Sequence, residues 1–160
     1  MDEWNKEKKV FTPHQAKQKA ESYCAYQERA QQEVRDKLYE WGLHQEDVEQ
    51  IIATLIEENF LNEERFAKAY ALGKFRMKGW GKIKIKQHLK GKRVSSPLIQ
   101  IALREIGTDE YEEKLKETVN KRINKPISSL TFIEKSKLKA FLLSKGFEND
   151  IINQIISNYQ

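Results

Sequence analysis

A group of apolar residues recurs three times along this 160-residue chain, and the repetition limits the folds available to it. Six apolar positions, separated by steps of four, five, five, four and three residues, return 51 and then 53 residues later. The three sets are Val34, Leu38, Leu43, Val48, Ile52 and Leu55; Ile85, Leu89, Val94, Ile99, Leu103 and Ile106; and Leu138, Leu142, Phe147, Ile152, Ile156 and Tyr159. Self-similarity at this period is typical of stacked helical units. The sequence therefore predicts three copies of one unit.

Each copy contains two apolar stripes at helical spacing, preceded by a further predicted helix. In the first copy, Thr12 and Pro13 mark the start of that earlier helix as N-cap and first helical residue. Gly42 and Gly146 occupy corresponding turns of the first and third copies, where glycine permits the left-handed backbone that ends a helix. The second copy has Arg93 at this place, which predicts a displaced or strained helix end.

The predicted fold is all-α, with three tandem three-helix repeats forming an elongated, curved helical array. The few glycines and prolines, seven and three, agree with this class. The predicted segments are an N-terminal stretch, 1–11, that is a candidate for disorder; the first repeat, 12–61; a second, basic repeat, 62–107; and the third repeat, 108–160.

One stretch conflicts with the helical pattern. Residues 82–86 alternate lysine and isoleucine with the period of two that is typical of a half-buried strand. No other segment alternates in the same way, and an isolated strand is not stable. We therefore expect a helix here, with Ile85 and Leu89 facing inward.

The charge is concentrated in the second repeat. Residues 62–107 hold twelve Lys and Arg against three Asp and Glu, an excess of nine, whereas the whole chain carries +5. Such a segment favours a partner that carries phosphates or acidic side chains. The candidate binding cations are Lys68, Lys74, Arg76, Lys78, Lys82, Lys84, Lys86, Lys90, Lys92 and Arg93. Lys82, Lys86 and Lys90 would form one stripe on a helix, suited to contact with a nucleic-acid backbone or an acidic protein groove. A merely solvated face is the alternative.

Trp80, between Gly79 and Gly81, is a further candidate. It could fill a gap between two repeats at a helix-to-helix turn, since glycines permit the turn and tryptophan buries well. It could instead be exposed among the lysines, where it would stack on a base or pack against a partner. The sequence leaves both interpretations open.

The sequence offers little for an enzyme, a metal site or a cofactor. It contains no phosphate-binding glycine loop, nucleophile elbow or H-E-x-x-H motif. The three histidines have no ligand spacing with one another or with Cys24, the only cysteine. No apolar run is long enough to cross a bilayer, and no export signal is evident. We expect a non-enzymatic, cytoplasmic protein without cofactor, metal, membrane contact or small-molecule substrate.

The second copy carries a recognisable motif. The run from Phe60 to Tyr70, followed by residues 78–82 (Lys-Gly-Trp-Gly-Lys) and then by Ile85 and Leu89, resembles the signature of the RecX recombination regulators. The resemblance extends from about residue 16 onward, and Arg93 departs from it, because the family usually has Lys-Gly followed by an aliphatic residue at this turn.

This resemblance implies three tandem three-helix repeats and a regulator that binds the RecA filament and mainly inhibits its ATP hydrolysis and strand exchange. The basic second repeat would then face the filament, and single- or double-stranded DNA would be contacted through phosphates. Two alternatives remain: a regulator that binds DNA directly without RecA, and an adaptor whose basic face meets another acidic protein.

Overall fold

The chain is helical throughout the part that a computed structural model describes, residues 10–158. This range contains nine α-helices, a short 3-10 turn at Ile127–Ser129 and no strand. The helices are α1 (Pro13–Tyr26), α2 (Gln31–Glu40), α3 (Gln45–Glu57), α4 (Glu63–Lys78), α5 (Lys82–Gly91), α6 (Ser96–Arg104), α7 (Thr108–Arg122), α8 (Phe132–Ser144) and α9 (Asn149–Asn158). The all-α class is confirmed. Residues 1–9 of the candidate disordered segment lie outside the described range, and the curvature of the array stays a prediction.

Local signals start and continue the helices as the sequence predicts. The Thr12 hydroxyl accepts the amide of Gln15, whose side chain in turn accepts the amide of Thr12, so the two form a capping box ahead of Pro13. The alternating lysine–isoleucine stretch is the start of α5, with Ile85 and Leu89 fully buried. Burial of the residues spaced four apart outweighs the local period of two.

The described chain forms two compact units, 10–66 with 92–94 and 67–91 with 95–158. In the first unit, α1 packs on α2 and α3 around a core that includes Ala20, Leu38 and Leu55. In the second unit, the ring of Tyr111 contacts Phe75 and Phe147 at centroid distances of 5.7 and 5.4 Å. These three rings come from the second copy, the third copy and the turn inside the third copy.

The repeated apolar positions are the core. Sixteen of the eighteen are buried, Ile156 is half-buried and Tyr159 lies outside the described residues. The recurrence in the sequence therefore reflects the same packing requirement met in each copy.

The second helix of a copy is capped by the first helix of the next. In the first unit, the Gln31 amide at the start of α2 donates to the Glu63 carboxylate of α4 at 3.4 Å. In the second unit, the Lys82 amide at the start of α5 donates to the Tyr111 hydroxyl of α7 at 3.0 Å. Ala30, the N-cap of α2, has no side-chain cap. Because initial helical amides lack partners within their own helix, consecutive copies need each other.

Three equivalent turns have left-handed backbone, but only two have glycine. Gly42 and Gly146 have φ of 90° and 95°, and Arg93 has φ of 61°. At the glycine turns the following amide closes the helix end: Leu43 donates to Leu38 at 3.2 Å, and Phe147 to Leu142 at 3.2 Å. The strained alternative predicted for Arg93 is therefore confirmed.

Replacing Arg93 by glycine should stabilise the chain. A side chain in left-handed backbone costs roughly 1–2 kcal/mol, of which glycine's greater freedom in the unfolded chain returns a part. We expect Arg93→Gly to raise the free energy of unfolding by about 1 kcal/mol, measured by circular dichroism during urea titration. Gly42→Ala is the matched variant and should destabilise, because its Cβ would lie 3.1 Å from Val10. A lower stability for Arg93→Gly would contradict this account.

Candidate functional site

Trp80 lies at the turn between α4 and α5, and the backbone of this turn is fixed on both sides. Gly79 has φ of 67°, and its amide donates to the Phe75 carbonyl at 3.0 Å. The Trp80 amide donates to the Lys74 carbonyl at 3.2 Å. The chain thus leaves α4 in a conformation that favours glycine and presents the indole on the side of Lys74.

Gly81 is required for a close approach of two backbones. A Cβ on Gly81 would lie 2.3 Å from the carbonyl carbon and oxygen of Gly146, and a Cβ on Gly146 would lie 2.3 Å from Cβ of Lys84. The Gly81 amide donates to the Lys145 carbonyl at 2.8 Å, and the Ile83 amide donates to the Gly146 carbonyl at 3.0 Å. The end of α8 therefore caps the start of α5.

Five side chains form a cluster around the indole, which we call the Trp80 cluster. It consists of Tyr70 and Lys74 from α4, Trp80 itself, and Lys84 and His88 from α5. The His88 ring lies 4.5 Å from the indole and the Tyr70 ring 6.5 Å, while the ammonium groups of Lys74 and Lys84 lie 5.1 and 4.7 Å from its centroid. Trp80 is half-buried.

Trp80 thus combines features of both interpretations left open by the sequence. It packs within its own copy, and it also lies among lysines at cation–π distance. The two ammonium groups stay near the surface because their stems lie along the aromatic ring.

Three of the candidate cations are paired with acids. Lys68 pairs with Glu105 at 3.4 Å, Arg76 with Glu110 at 2.9 Å, and Lys92 with Glu33 at 2.6 Å. The hydrogen bond with Glu110 raises the pKa of Arg76, and the same bond lowers the pKa of Glu110. These three positions contribute less to an external positive field than the sequence count implies.

The other candidates differ from these three in their contacts. The Lys82 ammonium lies 4.9 Å from the Tyr111 ring centroid. Lys86, half-buried, and the exposed Lys78, Lys90 and Arg93 have no acidic partner among residues 10–158. With Lys74 and Lys84, they form the uncompensated part of the basic second repeat. Whether any of these residues contacts a partner stays a prediction.

Sequence reasoning missed several members of the surroundings. Tyr70 was assigned to the scaffold and His88 to unremarkable histidines, yet both rings contact Trp80. Their spacing from Lys74 and Lys84, four residues along a helix in each case, is the signal that could have identified them.

Nothing in the described residues indicates a metal or membrane site. No group of three or more His, Cys, Asp or Glu side chains there could hold a metal ion. Within the same range, no helix has the length and apolar character needed to cross a membrane. Cys24 is buried, and burial raises the pKa of its thiol to about 11.

Family models assign the three copies individually. Residues 16–55 match the first three-helix domain of RecX, 62–103 the second and 109–156 the third. The chain belongs to the RecX family. This confirms the resemblance and the grouping of the helices in threes.

Curated RecX relatives and solved RecX structures agree with this assignment. The regulatory protein RecX of Clostridium perfringens is 34% identical over 130 residues, covering 80% of this chain and 60% of the relative. That of Salmonella paratyphi A (strain ATCC 9150 / SARB42) is 34% identical over 114 residues, covering 71% and 67%. The chain thus spans well under the full length of the first relative. Both relatives are named regulatory proteins, which agrees with a chain that is not an enzyme.

The fold is also that of solved RecX structures. The crystal structure of RecX from Lactobacillus salivarius superposes with a TM-score of 0.78 at 28% identity, over 92% of this chain and 96% of that one. A second crystal structure of a regulatory protein RecX gives 0.75 at 23% identity, over 91% and 73%, and supports the fold alone.

A methyl group at Gly81 should disrupt this site from within. Gly81→Ala brings Cβ against backbone atoms that cannot rotate away, so we expect a loss of about 1–3 kcal/mol of stability and a shifted Trp80 environment. Thermal melting and tryptophan fluorescence measure the two effects. In Gly73→Ala, the control, nothing lies within 4 Å of the new Cβ, and this helix-interior change should be neutral or stabilising by about 0.5–1 kcal/mol. If both variants melt alike, the backbone contact is unimportant.

Proposed function

We propose that this RecX-family chain binds the RecA filament on DNA and mainly inhibits its ATP hydrolysis and strand exchange. Membership of a family of regulatory proteins supports a regulatory role. The observation that carries the proposal is the uncompensated lysine surface of α5 beside the Trp80 cluster. A RecA partner would place the chain in the cytoplasm.

The stability of α5 does not explain its lysines. Its first turn contains Lys82 and Lys84 and no acidic residue. Cations near a helix N-terminus oppose the helix dipole, and each costs typically 0.3–1 kcal/mol at an exposed site. A sequence that accepts this cost on a ten-residue helix supports a function for the positive charge.

The chemistry favours an extended anionic surface over a specific base sequence. Lysine ammonium groups act as mobile point charges, which suit phosphates and carboxylates without reading bases. Long-range attraction would speed association with a filament, and salt would weaken it. Inhibition would follow from occupying space on the filament and bridging its subunits.

The second candidate is a regulator that binds DNA directly through the basic second repeat. The same lysines support it, because backbone contacts need no RecA. It is distinguished by tight binding to naked DNA with no change in RecA activity.

Charge reversal on α5 tests the proposal. Lys86 and Lys90 are four residues apart on α5 and have no acidic partner in the described part of the chain. We expect Lys86→Glu together with Lys90→Glu to weaken binding to a preassembled RecA–DNA filament at least about tenfold, equivalent to about 1.4 kcal/mol. Fluorescence anisotropy of the labelled chain at fixed salt measures this.

The matched control is Lys116→Glu together with Lys137→Glu. These exposed lysines lie on α7 and α8, and both double variants lower the formal net charge from +5 to +1. The control should bind within about threefold of the unchanged chain. Equal weakening by both variants would assign the effect to net charge and reject α5 as the interface.

A further inference from the structure

A cleft in the second unit gathers positive charge that the sequence does not group. It has a volume of about 420 Å³ and lies where the end of α4 meets α7 and α8. Its cationic lining residues are Arg76, Lys78, Lys114, Lys121, Arg122 and Lys145. The charges of the third copy are nearly balanced in sequence, nine Lys and Arg against eight Asp and Glu, so composition gives no signal for this cleft.

The positive charge exceeds what neighbouring acids neutralise. Arg76 pairs with Glu110 and Lys121 with Glu117, at 2.9 and 3.0 Å. Subtracting these two acids from six cations leaves an excess of four. Lys78 is exposed and has no acidic partner among the described residues.

The end of α4 does not oppose an anion in this cleft. The Lys145 ammonium donates to the Lys78 carbonyl at 2.9 Å, and the Lys114 ammonium donates to the Arg76 carbonyl at 3.4 Å. Lysines near a helix C-terminus offset the negative end of its dipole. Helix capping therefore accounts for the place of two lysines, while the remaining cations of the cleft still face open space.

The cleft also has a flat cationic surface suited to stacking. The Arg122 guanidinium lies 4.2 Å from the ring centroid of Phe141, and Met77 beside it is 84% exposed. An arginine held on an aromatic ring presents a planar face on which an unpaired base can stack. A folded duplex has no unpaired base to offer, so the combination favours a single strand.

We propose that this cleft binds a segment of single-stranded nucleic acid, with phosphates near Lys78 and Lys121 and a base on Arg122. This site is separate from the α5 surface and does not depend on RecA. An acidic peptide shares the charge but has no need of the arginine plane, and it is treated below as a competing outcome.

The test uses the full chain and a fluorescein-labelled oligothymidylate in anisotropy titrations at several salt concentrations. We expect Lys78→Glu together with Arg122→Glu to weaken binding at least about tenfold. The salt dependence should fall by about 0.7 per lost phosphate contact on a single strand. The control is Lys116→Glu with Lys137→Glu, which has the same net charge and should change affinity less than about threefold.

Two further measurements separate the alternatives. Arg122→Lys keeps the charge and removes the plane, so a clear loss of affinity supports base stacking, and no loss overturns it. A poly-glutamate peptide that displaces the oligonucleotide at equal charge concentration would overturn the nucleic-acid assignment in favour of an acidic peptide. Equal weakening by the cleft and control variants would also reject the site. Circular dichroism and melting confirm that each variant is folded.

The outcome is independent of the RecA proposal. Inhibition of RecA ATP hydrolysis by the cleft variant is measured in parallel. Lost oligonucleotide binding with retained inhibition supports the cleft and leaves the RecA proposal intact. Retained oligonucleotide binding overturns the cleft whatever happens to RecA inhibition.

Discussion

The close backbone contact between Gly81 and Gly146 determines where the functional candidates of the second unit lie. It lets the end of α8 donate two carbonyls, those of Lys145 and Gly146, to the first amides of α5. Tyr111 supplies the third acceptor through its hydroxyl, which itself donates to Glu148. Burial and that bond to Glu148 raise the pKa of Tyr111 above its usual range, so the hydroxyl keeps its proton at neutral pH.

This contact connects fold to function through the placement of α5. A helix with lysines in its first turn has an unfavourable start of its own, and partners from the third copy satisfy the amides there. The lysines can then be used outward instead of being replaced by acids that would favour the helix. The second and third copies thus form a single structural element in this unit, although a repeat protein could have been built from more independent copies.

The sequence was sufficient for the fold because each copy repeats the same burial pattern. The apolar spacing, the Thr12 cap and the left-handed turns at Gly42 and Gly146 are all local signals, and each predicted the observed structure. Even α5, whose local pattern resembles a strand, was predictable because Ile85 and Leu89 repeat positions of the other copies.

The candidate site was less predictable, because its properties depend on contacts between copies. The reason for Gly81 is an approach to Gly146, 65 residues away, which no local pattern encodes. The lysine count in the second repeat could not show that Arg76 and Lys92 are paired with acids. Likewise, Arg122 becomes part of a basic cleft only because α7 meets the end of α4.

The central claim is that the positive surface of this RecX-family chain acts on a RecA filament. The most direct measurement is the rate of ATP hydrolysis by RecA on single-stranded DNA as the unchanged chain is titrated in at two salt concentrations. The account predicts a falling rate, with more of the chain needed at the higher salt because the association is electrostatic. An unchanged rate under conditions where the chain binds naked DNA tightly would contradict it.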